Sequence, residues 1–260
     1  MNKFIVFNFK MAPASLAEAK EIFEIFRSFS EKIKNNRLIV APPYVYLAEA
    51  RGKIGKKCYL GAQNVFWLDR YAMTGEISPK MLKFLKAQYV IIGHSERREY
   101  LNETEAMINA KLKACIKEGL RPILCVGEKE RKGGDSFLSL AVKKTLFEQL
   151  NHAFQGLQIQ NSRDLVIAYE PVWAIGRGKP QDLKETSEAI ALIRFWAARR
   201  FSEKLAKNLP IIYGGSIDAQ NILSFLNLKE SAGVLVGGVS TNKNELIKIL
   251  KKLSRPLTDK

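Results

Sequence analysis

Histidine and cysteine are the scarce residues of this 260-residue chain. Two histidines, His94 and His152, are too few for the hydrolases that hold zinc through several imidazoles. The three cysteines, Cys58, Cys115 and Cys125, are an odd number without metal-type pairing. That argues against a disulfide framework or a zinc site, and a reducing cytoplasm is the simplest home. Nothing approaches the unbroken apolar length of a membrane span. The opening Met-Asn-Lys-Phe-Ile-Val-Phe has a short apolar core broken by Asn8 and Lys10, so it reads as a first strand rather than a secretion leader. No Gly-x-Gly-x-x-Gly follows a first strand, so a nicotinamide cofactor is not indicated. The nearest approach to a P-loop, Gly176-Arg177-Gly178-Lys179, lacks the first glycine and runs into Pro180. No Pro- or Ser-rich linker and no internal repeat divides the chain, so residues 1–260 are expected to form one domain with a frayed tail from Arg255.

Basic residues are plentiful. Lys plus Arg is 42 against 26 for Asp plus Glu, a formal charge of +16. A nucleic-acid surface would cluster these cations and interleave aromatics. Here they are spread along amphipathic segments such as Lys111-Leu112-Lys113 and Ile247-Lys248-Ile249-Leu250-Lys251. They read as solvated helix faces, with nucleic acid not the expected partner, and the surplus would draw anionic small molecules.

Short apolar runs recur at Phe4–Phe7, Leu38–Val40, Cys58–Leu60, Tyr89–Ile92, Ile123–Val126, Leu165–Ala168, Ile211–Tyr213 and Val234–Val236. Between them lie segments of helical periodicity, among them Leu16–Phe29, Glu105–Ile116, Phe137–Phe154 and Asp182–Ala206. Runs apolar throughout, alternating with amphipathic helices, indicate a parallel sheet covered by helices. The repetition predicts a (β/α)8 barrel, with eight parallel strands surrounded by helices; an open doubly wound sheet is the alternative.

In such a barrel, chemistry sits just after the strands. Those positions hold Asn8 and Lys10, Gln63-Asn64, Gly93-His94-Ser95-Glu96, Gly127-Glu128, Glu170, Gly214-Gly215-Ser216 and Gly237-Gly238. Glu170 ends an apolar run and opens a stretch bracketed by Pro171 and Gly178, a carboxylate base beneath a flap or a plain surface acid. The glycine pairs after the last two strands suit a phosphate, or two tight turns needing positive φ. His94 stands where a strand hands over to a helix, so the helix dipole disfavours an imidazolium and the ring is expected to act as a neutral donor. Lys10 is either a strand-end surface cation or a fixed charge for an oxyanion. His152, inside an amphipathic helix, reads as structural. Together a carboxylate, a histidine, a lysine and a phosphate cradle suit proton abstraction beside a carbonyl on a phosphorylated sugar fragment.

Several strings resemble the triosephosphate isomerase family, in the same order and over essentially the whole chain: Asn8-Phe9-Lys10-Met11, Gly93-His94-Ser95-Glu96-Arg97-Arg98, Cys125-Val126-Gly127-Glu128, Tyr169-Glu170-Pro171-Val172-Trp173-Ala174-Ile175-Gly176, Tyr213-Gly214-Gly215-Ser216 and Leu235-Val236-Gly237-Gly238. The resemblance implies interconversion of dihydroxyacetone phosphate and glyceraldehyde 3-phosphate in glycolysis and gluconeogenesis, without cofactor or metal. It implies Glu170 as base, His94 as electrophile and proton shuttle, and Lys10 as stabiliser of negative charge, with Asn8 positioning the reacting end. It places the substrate phosphate on Gly176, Ser216, Gly237 and Gly238, Glu96 in a supporting network and Cys125 beside Glu170. It also implies a homodimer in which the Gln63–Ser78 loop reaches the partner's site. Phe7 and Phe9 stand where Gly and Trp are usual, Arg177 replaces a common Thr, Ala232 a common acid and Val239 a common Ala. Two other readings remain. A lysine Schiff-base aldolase needs a lysine inside a strand, and the interior runs have none; a binding module whose basic surface recruits nucleic acid or an acidic partner would show salt-dependent retention on DNA, and the motif set speaks against it as the main activity.

Overall fold

The computed structural model describes residues 2–69, 72–130, 140–174 and 181–255. Its strands are β1 (Lys3–Asn8), β2 (Asn36–Ala41), β3 (Cys58–Ala62), β4 (Tyr89–Ile92), β5 (Arg121–Val126), β6 (Val166–Tyr169), β7 (Ile211–Tyr213) and β8 (Gly233–Val236). Each pairs in parallel with the next, and β8 returns to β1 through Phe4↔Gly233 and Phe7↔Val236, so the sheet closes into a barrel. The open-sheet alternative falls at that last pairing. The helices are α1 (Leu16–Ser30), α2 (Leu47–Lys53), α3 (Pro79–Phe84), α4 (Ser95–Tyr100), α5 (Glu105–Lys117), α6 (Leu140–Ala153), α7 (Leu183–Arg200), α8 (Glu203–Asn208), α9 (Ile222–Asn227) and α10 (Lys243–Leu253).

The strands are apolar throughout because both faces are buried. Inward residues, among them Phe4, Val6, Ile39, Tyr89, Ile91, Ile123, Val166, Ala168, Ile212 and Leu235, fill the barrel. Outward residues of the same strands join the helices in the larger core. Phe7 and Phe9 belong to that outer layer: Phe7 meets Phe26 edge-on at 4.9 Å, and Phe9 stacks on Phe23 at 6.2 Å. Their departure from the family pattern is therefore taken up by packing against α1.

Caps mark the helix starts. Ser15 accepts from the Glu18 N–H, Thr104 from Met107, Asp182 from Glu185 and Asn242 from Glu245. One expected helix is in fact two. The Asp182–Ala206 segment breaks at Phe201, whose ψ of −84 is not helical, and restarts where Ser202 Oγ accepts from the Leu205 N–H at 3.2 Å. The apolar period runs through this break, so periodicity alone could not reveal it.

Candidate active site

Side chains alternate along a strand, so the next inward position after a filled barrel layer faces the carboxyl-end opening. Asn8 follows Phe4 and Val6 in this register, and Glu170 follows Val166 and Ala168. Both are buried, at 4% and 1% exposure.

Glu170 is fixed by its surroundings. Its backbone N–H donates to Val126 O at 2.8 Å, and its Oε2 accepts from the Ser95 N–H at 3.1 Å. Oε1 is buried without a hydrogen-bond partner among the described residues and lies 3.4 Å from His94 Nε2. Gly214 makes room for the carboxylate: a Cβ there would stand 2.8 Å from Glu170 Cγ. Burial pushes the Cys125 thiol well up, and the adjacent Glu170 charge adds to that, as expected for a cysteine packed beside it.

His94 caps α4. Its Nδ1 accepts from the Glu96 N–H at 3.3 Å, and a neutral ring that accepts at Nδ1 carries its proton on Nε2, the atom facing Glu170. Gly93, at φ +70, makes the turn that delivers it.

Lys10 sits in the left-handed region at φ +55, a conformation that costs a lysine roughly 1–3 kcal/mol and must be held by its neighbours. Asn8 Oδ1 accepts from its N–H at 3.0 Å, and Gln63 Nε2 donates to its carbonyl at 2.9 Å. The Lys10 ammonium pairs with Glu96, and its stem runs beside Gly237, where a Cβ would lie 3.3 Å from Lys10 Cε.

A cavity of about 220 Å³ opens beside Lys10 and His94 and is lined also by Gly215, Ser216, Gly237 and Gly238 among others. None of Gly214, Gly215, Gly237 and Gly238 has positive φ, so backbone handedness does not explain these glycines. The N–H groups of Ser216, Gly237 and Gly238 make no hydrogen bond among the described residues, which leaves donors open at the cavity. Of the candidate residues, Asn8, Lys10, His94, Glu170, Ser216, Gly237 and Gly238 thus gather at one end of the barrel; Gly176 and Arg177 lie outside the described residues.

Sequence reading did not foresee the supports. The Ser95 N–H and the Gln63 amide act through pairings distant in sequence. Behind them lies a buried network: Lys111 donates to Asn64 at 2.8 Å and to Glu103 at 2.6 Å, and Arg97 donates to the same Glu103 oxygen at 2.6 Å. Burial works to raise the Glu103 carboxyl, but Lys111 and Arg97 overcome it and hold it below its ordinary 4.5. A depressed carboxyl stabilises the fold above the unfolded value and loses that contribution as pH falls through the folded one. Glu103→Gln should cost about 3 kcal/mol in urea unfolding at neutral pH, because it leaves Lys111 buried and unpaired. The gap between variant and parent should narrow below pH 4.5, and a gap that did not change with pH would contradict the assignment.

Fold and site together define a class: a (β/α)8 barrel whose carboxyl-end pocket sets acid–base side chains against open backbone donors. Comparison with known proteins then narrows the class. The triosephosphate isomerase family matches residues 3–253. A protein named triosephosphate isomerase from Dictyoglomus thermophilum is 40% identical over 252 residues, covering 96% of this chain and 98% of its own. Relatives of the same name from Dictyoglomus turgidum and Dehalococcoides mccartyi strain CBDB1 are 42% and 40% identical, covering 92% and 94% of this chain and 94% of their own in each case. The chain belongs to the triosephosphate isomerase family, a family of isomerases.

Proposed function

We propose that the chain interconverts dihydroxyacetone phosphate and D-glyceraldehyde 3-phosphate through an enediolate, in glycolysis and gluconeogenesis. The carrying observation is the unpartnered Glu170 Oε1, buried 3.4 Å from His94 Nε2. Pairing a glutamate base with a neutral histidine is the arrangement for which triosephosphate isomerase is the standard illustration.

In this reading Glu170 removes a proton from the carbon beside the substrate carbonyl. The C–H electron pair becomes the enediolate double bond, and the carbonyl oxygen gains charge. His94 Nε2–H donates to that oxygen and shuttles the proton between the two oxygens. Lys10 stabilises the negative charge, held in place by Asn8 and Glu96. Glu170 then returns its proton to the neighbouring carbon. Ser216, Gly237 and Gly238, with Gly176 from the lid segment, hold the phosphate through backbone N–H groups. No step calls for a metal or organic cofactor.

The full residue range 1–260 is assigned to one barrel domain. The working unit is assigned as a homodimer. What supports it is apolar exposure beside the site: Met11, Tyr100 and Leu101 are 96%, 72% and 61% exposed, and they line a hollow of about 470 Å³ shared with Lys10 and His94. Met73, Met81 and Phe84 line another of about 880 Å³ at the Gln63–Ser78 loop. A cytoplasmic location is supported by three free cysteines, Cys58, Cys115 and Cys125. Among the described residues no helix is long and apolar enough to cross a membrane.

A coupled assay with D-glyceraldehyde 3-phosphate tests the activity, and light scattering tests the dimer. Gly214→Ala supplies a sharper check. Its methyl must displace the Glu170 carboxylate, and misplacement of about 1 Å can cost roughly 10²-fold in rate. We expect kcat to fall by about that factor with Tm little changed; full activity would place the base elsewhere.

A further inference from the structure

We propose that the amino-end face of the barrel, opposite the active site, binds the phosphate backbone of nucleic acid without sequence preference. Cations dispersed along the sequence are not dispersed in space. In a closed parallel barrel every helix C-terminus and every connection into a strand reaches the same face. Each helix end or connection leading into strands β2 to β8 carries an exposed Lys or Arg: Lys34, Lys56, Lys86 and Lys117, then Arg163, Lys207 and Lys229.

Helix dipoles account for the cations in last turns, such as Lys117 and Lys207. They do not account for Lys34, Lys56, Lys86 and Lys229, which lie beyond the helices, nor for Arg163, which lies in a single 3-10 turn (Ser162–Asp164). None of these five forms a salt bridge within 4.0 Å among the described residues, although Lys229 helps to lower the carboxyl of its neighbour Glu230. Lys57, by contrast, is paired with Glu31 at 3.0 Å. Nearer the barrel axis, Arg37 lies 5.2 Å from the centre of the Phe4 ring, and Arg121 lies 5.8 Å from that of Tyr89 while donating to its hydroxyl at 3.2 Å. Both guanidinium groups are thereby held at the mouth of this face.

Helix first turns point the other way and carry acids, Glu18, Glu105, Glu185 and Glu245 among them. The charge surplus therefore lies away from the site and does little to steer a triose phosphate into it. It matches a partner with closely spaced phosphates. Nucleic acid fits better than a lipid surface, because among the described residues Phe84, at the end of α3, is the one exposed large apolar side chain in these helix ends and connections, and membrane attachment draws on buried apolar area as well as charge.

Lys34, Lys56 and Lys229 precede the neighbouring strands β2, β3 and β8, with β1 between, and form one arc. The test is fluorescence anisotropy with a labelled DNA duplex of arbitrary sequence, about 30 base pairs long, from about 50 to 200 mM salt. Neutralising the arc with Lys34→Gln, Lys56→Gln and Lys229→Gln should weaken binding at least roughly tenfold at low salt and make the slope of log K against log salt shallower by about two to three. A control triple with the same charge change, Lys144→Gln, Lys184→Gln and Lys248→Gln, should leave both nearly unaltered, and isomerase activity should be unchanged in both triples. Equal weakening by the two triples would reduce the effect to net charge and overturn the proposal. So would absence of duplex binding by the parent, or retention on phosphatidylserine vesicles without duplex binding.

Discussion

Glu170→Gln should lower kcat by about 10³–10⁴-fold, the upper range for a general base, while leaving KM and unfolding close to the parent values. The substitution keeps the shape of the side chain, and its amide oxygen can still accept the Ser95 N–H that Oε2 accepts now. What disappears is the group able to take a proton from carbon. An amide oxygen is far too weak a base, and the site offers no second carboxylate in the same position: Glu96 is engaged with Lys10, on the other side of His94. Glu170→Asp separates position from chemistry. It keeps the base but retracts it by one methylene, so a loss nearer 10²-fold is expected. Both are measured by the coupled assay on purified protein, with Tm recorded alongside. If Glu170→Gln retained a tenth of the parent rate, Glu170 would not be the base.

The fold was legible because a barrel strand is apolar on both faces and leaves a run that any reader can mark. All eight runs correspond to strands, and the short Cys58–Leu60 and Val234–Val236 lie within β3 and β8. The placement of the candidate residues was legible for a related reason: strand ends face the opening. Their supports were not, apart from Glu96, which the resemblance placed in a supporting network without naming its partner. Glu170 and Ser95 are 75 residues apart, and Lys10 and Glu96 are 86 apart. No local pattern encodes such pairs, since they exist only once β1, β4 and β6 curve around one axis. The left-handed backbone of Lys10 was equally hidden, because it is imposed by Asn8 and Gln63 rather than by any preference of lysine. Charge taught the opposite lesson. Spacing along the chain suggested dispersal, whereas the topology returns every helix end to a common face.

His94→Gln should lower kcat by about 10²–10³-fold, the usual consequence of removing one well-placed donor to a developing oxyanion. The geometry states why a donor of similar reach is no replacement. The imidazole has two distinct jobs: Nδ1 accepts the Glu96 N–H at the start of α4, and Nε2–H faces Glu170. A glutamine amide can satisfy the first with its oxygen and offer its N–H₂ to the substrate, so binding and fold should survive. It cannot exchange a proton between the two substrate oxygens, as the proposed shuttle requires. The variant should therefore be slow in turnover yet close to the parent in affinity for inorganic phosphate, which the proposed mechanism assigns to the glycine turns rather than the ring. The pH profile adds a further reading. Glu170→Gln, which has no carboxylate, should lose the limb that reports the base, whereas His94→Gln should keep it. Equal loss of phosphate affinity and kcat in His94→Gln would instead make the residue a structural cap of α4, and the shuttle would have to pass through another group.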